Sequence, residues 1–177
     1  MSLTNKIKQN KVLLIIIPAV LIIAAILLIL LLPNEKSYTF KTDETYFTVK
    51  FPSEWKVVEE PRQPGSSEFE PSPDEGIKLL LDGNEDNCIS IYSQYGTITH
   101  PQINFDEEDF STNKGIKGIL YKDKECLGNW FLVLDQDITP NFYGAVVNFE
   151  DEELLNKNQK QIMNILKSID IKKSQSK

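Results

Sequence analysis

FTVKFPSEWKV, residues 47–57, decides the fold. Phe47, Val49 and Phe51 alternate with Thr48 and Lys50, the period of a strand with one buried face. Pro52 cannot donate to a ladder and ends the strand, a tight Pro-Ser-Glu-Trp turn follows, and Val57 and Val58 resume an extended run at 56–59. A tryptophan held in such a turn reads as a plug for the core.

Upstream, residues 38–40 and 46–51 are β-rich, and the polar break KTDET at 41–45 suits a hairpin turn. Downstream, residues 60–76 (EPRQPGSSEFEPSPDEG) hold four prolines and two glycines, the composition of a surface loop. Apolar runs at 77–81, 88–95, 116–121, 130–134 and 142–149 read as further strands. DGNEDN at 82–87 turns the first pair into a hairpin, and Pro140 with its polar neighbours breaks the last pair. From Glu152 to Ile169, the residues Leu155, Ile162, Leu166 and Ile169 recur at near-helical spacing. Asp151 stands where an N-cap belongs, and acids fill the first turn. Residues 172–177 have no apolar partner and read as a fraying tail. The expectation is an α+β domain: one antiparallel sheet of about six or seven strands with a C-terminal helix across it.

The N-terminal part obeys a different rule. Residues 12–32 (VLLIIIPAVLIIAAILLILLL) carry no charge and as a helix span about 31 Å, the thickness of a bilayer core. Pro18 falls in the second turn, where early N–H groups lack intrahelical partners anyway. Lys6, Lys8 and Lys11 precede the run, which places the N-terminus in the cytoplasm and the domain outside the cell membrane. A cleaved secretory signal would have an apolar region of roughly 7–15 residues ending at small side chains. This run is longer and ends Leu-Leu-Leu-Pro-Asn, so it is expected to stay as a single-pass signal anchor. The first cysteine, Cys88, is too distant to carry a lipid. The layout is therefore a cytoplasmic segment 1–11, a transmembrane helix 12–32, a tether 33–37, an extracytoplasmic domain 38–171 and a tail 172–177.

All 26 Asp and Glu residues follow Pro33, against 16 of the 19 Lys and Arg, so the part outside the membrane carries −10. Such a charge repels nucleic-acid backbones, and no basic run with interleaved aromatics counters it. The partners expected are the lipid bilayer, through residues 12–32, and a protein of the membrane or envelope.

Two stretches carry a resemblance, FTVKFPSEWKV at 47–57 and IMNILKSIDI at 162–171. Together they resemble the PsbP-like fold family over residues 38–171. The resemblance implies a strand running into a Pro-x-x-Trp turn at the start of the sheet and a helix passing through a serine into a closing strand. It also implies a non-enzymatic binding or assembly module without a cofactor.

Candidate sites are few. Cys88 and Cys126 can form a disulfide in an outward-facing domain, or remain two free thiols. With a single histidine, His100, beside Pro101, there is no zinc quartet. Asp82, Asn84 and Asp86 have the 1, 3, 5 spacing of a calcium loop, but Asn87 stands where glycine belongs and Ser93 where the bidentate Glu belongs. Asp106, Glu107, Glu108 and Asp109 read as a solvated loop or the first turn of a helix. No Gly-x-Ser-x-Gly, His-Glu-x-x-His or Gly-x-x-x-x-Gly-Lys element occurs, so no catalytic residue is assigned. Phe69, Tyr92, Tyr95, Phe142 and Tyr143 are candidate partner-binding aromatics if they share a surface patch. A binding or assembly module is the leading expectation. A cell-envelope hydrolase would need a concave pair of acids under the 60–76 loop, and a cation-responsive surface domain would need calcium to stabilise it.

Overall fold

Residues 34–42, 45–61, 75–95, 104–135 and 141–173 are described in the computed structural model. The helix expected at 12–32 lies outside them, and no helix among the described residues is long and apolar enough to cross a membrane. The chain separates into two units, Met1–Asn34 and Glu35–Lys177; only the second is described below.

The alternating stretch around Phe47 forms β2 (Thr45–Pro52), with Thr45, Phe47, Val49 and Phe51 buried on one face. It pairs antiparallel with β1 (Glu35–Lys41) on one side and β10 (Asp170–Lys173) on the other, giving a three-stranded sheet. Residues expected in the tether thus already belong to β1, and Lys172 and Lys173, expected in the tail, belong to β10. Ladder pairing of neighbouring backbone overrides the polar character of both segments.

After the turn at Ser53 and Glu54 the chain enters a second sheet. Its strands are β3 (Trp55–Glu60), β4 (Glu75–Leu81), β5 (Asn84–Tyr95), β6 (Phe105–Ser111), β7 (Lys117–Asp123), β8 (Asn129–Leu134) and β9 (Asn141–Phe149). They lie in the order β3-β4-β5-β9-β8-β7-β6, each antiparallel to its neighbours. The single sheet of six or seven strands expected from the sequence is therefore two sheets, of three and seven strands. The Asp82-Gly83 hairpin turn has positive φ at both residues (51° and 77°), matching the twist of the strands it joins.

The acidic stretch 106–109 is neither loop nor helix. It forms β6, anchored by Phe110 in the core and by Phe105 against Tyr121 and Phe131 at ring-centroid distances of 6.5 and 5.5 Å. β6 is a sheet edge, and its four exposed carboxylates block pairing with a foreign strand. Lys122 and Lys124 meet two of them, Glu108 and Asp106, at 2.6 and 3.0 Å.

Helix α1 (Glu152–Lys167) follows β9 and buries Leu155, Ile162, Ile165 and Leu166 against β2 and β9. Its first turn is held by Asp151, whose carboxylate accepts the Leu154 N–H at 3.0 Å. Replacing Asp151 with Ala should cost about 1 kcal/mol, read as a lowered urea midpoint with an unchanged denaturant slope. At the other end Ser168 Oγ accepts the Lys50 N–H at 2.8 Å and donates to the Ile165 carbonyl at 2.7 Å. The β2–β10 register aligns position 168 with Lys50, so this hydroxyl satisfies the next backbone donor of β2 where β10 has not yet begun. The Lys167 carbonyl accepts the Asn113 N–H from the β6–β7 turn at 2.7 Å, tying the helix terminus to the far edge of the large sheet.

Trp55 closes the core between these parts. Its indole N–H donates to Gln161 Oε1 on α1 at 2.8 Å, its ring meets Phe149 edge-on, and Gln161 in turn donates to Glu54 at 2.6 Å. Tyr38 on β1 donates to the Glu59 carboxylate on β3, joining the two sheets. That hydrogen bond to a carboxylate, with some burial, pushes the Tyr38 phenol up.

Candidate functional site

The large sheet has two faces of different character. Trp55, Leu79, Ile89, Val147, Leu132 and Leu120 look into the core with α1 and β2. The alternate residues form the outer face, in two rows fixed by the register. One runs Val58, Lys78, Ser90, Val146, Phe131, Tyr121, Glu107, and the other Gly76, Tyr92, Gly144, Val133, Ile119, Asp109.

This outer face is apolar for an exposed surface. Val58 is 45 % exposed, while Tyr92, Val146, Phe131, Ile119 and Phe105 are half-buried. Tyr121 and Val133 on the same face are only 3 % and 9 % exposed. Burial, with Glu107 and Asp135 nearby, pushes the Tyr121 phenol up. Tyr92 lies between two glycines, paired with Gly76 on β4 and Gly144 on β9. A Cβ on Gly144 would come within 3.0 Å of the Tyr92 hydroxyl, so the ring occupies the space above that glycine.

Of the candidate aromatics, Tyr92 belongs to this face. Tyr143 does not: it is fully buried, its ring edge-on to Phe47 at 6.4 Å, because odd-numbered β9 residues point into the core. Tyr95 and Phe142 lie in strands, but their side chains, and all of Phe69 and His100, are outside the described residues. The sequence reading missed Phe105 and Phe131. Their signal was register: both sit one residue out of phase with the buried positions of their strands.

Asp82 occupies the hairpin turn, while Asn84 and Asp86 lie on β5, where Asn84 Oδ1 accepts the Asp86 N–H at 3.0 Å. No group of three or more His, Cys, Asp or Glu side chains that could hold a metal ion occurs among the described residues. Asn87, buried beside a bulge in the β4–β5 pairing, keeps its Oδ1 without a hydrogen-bond partner among the described residues.

Both thiols are free, Cys88 buried and Cys126 exposed. Cys88 is level with Asn148 on β9 and Asn129 on β8. Two inter-strand spacings put that level of β8 about 10 Å away, beyond the roughly 7 Å reach of a disulfide. Burial pushes the Cys88 thiol up, against a smaller opposite pull from Lys78. The folded chain should therefore take one equivalent of iodoacetamide at pH 8, on Cys126, and a second only after denaturation. Peptide mass mapping reads the difference; prompt native labelling of Cys88 would show that β5 opens.

No family model matches the chain, and no match was found among curated proteins.

Proposed function

We propose that this protein is a single-pass membrane protein whose C-terminal domain is an extracytoplasmic, non-enzymatic binding or assembly module of PsbP-like type. Residues 12–32 would cross the bilayer with Lys6, Lys8 and Lys11 on the cytoplasmic side, and the domain would meet a protein of the membrane or envelope. The charge partition about Pro33 supports the orientation. The passage of β2 through Pro52 into Trp55, and of α1 through Ser168 into β10, supports the family reading.

The observation that carries the binding role is the outer face of the large sheet, where Tyr92, Val146 and Phe131 lie on neighbouring strands, Val58 stands on β3 beyond Lys78 and Ser90, and no described helix or sheet packs over them. Apolar side chains left uncovered on a sheet face mark contact sites. The test is a pull-down of the tagged full-length chain from gently solubilised membranes, beside a Val58→Glu/Val146→Glu variant with unchanged thermal unfolding. A partner retained by the wild type and reduced at least about tenfold in the variant, about 1.4 kcal/mol of binding, supports the reading. A partner held equally by both, or none, rejects this face as the contact.

A further inference from the structure

We infer that the free edge of β3 is where two copies of this chain associate, β3 pairing antiparallel with β3 about a twofold axis at Val58. This pairing goes beyond the outer-face contact proposed above and does not depend on it.

The large sheet ends in two edge strands of different character, β3 and β6. β6 has an acid at every position from 106 to 109, a guard against strand addition. β3 reads Trp-Lys-Val-Val-Glu-Glu and carries both signs of charge around two valines. Val58 is 45 % exposed, and Lys56 forms no ion pair among the described residues.

Ladder parity fixes which backbone groups of β3 are free. The Phe149 N–H donates to the Gly128 carbonyl, so odd-numbered residues of β9 bond β8 and even-numbered ones bond β5. Carried through the registers, odd residues of β5 bond β4 and even residues of β4 bond β3. The Ile91 carbonyl agrees, pointing at β4 into the space a Gly76 Cβ would take. Even residues of β3 are thereby used, and Trp55, Val57 and Glu59 turn their N–H and C=O groups to the free edge. The Glu59 carboxylate is taken by the Tyr38 phenol on β1; its backbone groups are not.

A second β3 has to meet these groups with its own odd residues. Pairing Val57 with Glu59 of the second copy sets Val58 against Val58 on the axis and Lys56 against Glu60 on both sides of it. These are the close, non-hydrogen-bonded pairs, with Cα atoms ~4.5 Å apart. All three lie on the outer face, where opposite charges directly across stabilise the ladder. Registers centred on Lys56, Val57, Glu59 or Glu60 instead bring like charges together. Glu60 also meets Lys78 on β4 at 2.9 Å, so in the pair its carboxylate lies between two ammonium groups, one from each copy. Pro61 of the second copy falls opposite Trp55 and has no N–H, which ends the ladder. The twofold consumes the β3 edge of both copies, so association closes at a dimer in which the two large sheets become one.

The test uses the full-length chain in detergent micelles. In a Cys126→Ser background, whose remaining Cys88 is buried, Val58→Cys should form an intermolecular disulfide under mild oxidation, since its separation across the axis suits that bond. Asp109→Cys, on the guarded edge, should stay monomeric. Lys56→Cys and Glu60→Cys chains should crosslink when mixed and not when separate, which reads the register. Without oxidation, light scattering should show a dimer whose Kd rises about tenfold in Lys56→Glu and falls back towards the wild-type value in Lys56→Glu/Glu60→Lys. Crosslinking at 58 no faster than at 109, or a wild-type chain that stays monomeric at the concentrations crosslinked, would overturn the pairing. Neither readout involves another protein, so a missing dimer leaves the outer-face contact standing, and a failed pull-down leaves the dimer standing.

Discussion

Replacing Trp55 with Ala is expected to destabilise the domain by about 3–5 kcal/mol, the range for removing a large buried aromatic, and to lower Tm by roughly 10–20 °C. The effect exceeds that of an ordinary core truncation because Trp55 touches three elements at once. It starts β3, packs on Phe149 of β9, and donates to Gln161 on α1. Removing it leaves a cavity and strands the Gln161 carbonyl, whose other amide contact, to Glu54, then has less to orient it. Gln161→Leu separates the two contributions. It keeps the indole but leaves its N–H unpaired, for about 1–3 kcal/mol. A Trp55→Ala loss below about 1.5 kcal/mol would show that the turn does not clamp helix to sheet.

Gly76→Ala should be comparably severe although it adds one methyl group. A Cβ at this position would lie 2.0 Å from the Ile91 carbonyl oxygen and 2.8 Å from the Tyr92 Cα, both backbone atoms of β5. Backbone in mid-ladder cannot step aside without breaking the β4–β5 pairing, so the cost is at or above the usual 1–3 kcal/mol of overpacking. Gly115→Ala is the informative comparison. Gly115 has φ +82° and open space around its would-be Cβ, so the penalty there is only that of a left-handed alanine, about 1–2 kcal/mol. Thermal unfolding of the two variants ranks close approach against backbone conformation. If Gly76→Ala proved the milder, β5 would have to shift freely against β4.

The thiol and capping predictions probe smaller terms, but they bear on the same architecture. Cys88 is shielded within the outer face of β5. Asp151 holds the start of the helix that fills the inner face.

Much of this fold is legible in the residues themselves. The alternation of Phe47, Val49 and Phe51, the proline that ends their strand and the tryptophan after it specify a strand, a turn and a buried anchor without any knowledge of neighbours. Asp151 and the spacing of Leu155, Ile162 and Leu166 specify the helix and its buried side in the same local way. Asp82-Gly83 specifies a hairpin, because few residues other than glycine accept the φ it needs.

What sequence could not reach was set by contacts between distant segments. Asp106 to Asp109 show no alternation, since an edge strand exposes both faces, and only Phe105 and Phe110 at its ends pin it to the sheet. Tyr92 and Tyr143 looked alike as candidate surface aromatics, but the β5–β9 register sends one outward and the other into the core. Period two announces that a strand has two faces; it does not say what covers each. The chain alone determined its charge partition, its strands other than β6 and β10, the hairpin turn at Asp82-Gly83 and one helix. Tertiary structure decided the split into two sheets, the insertion of β9 beside β5 and the outer face that results, because strand order follows from the summed burial of side chains far apart in sequence.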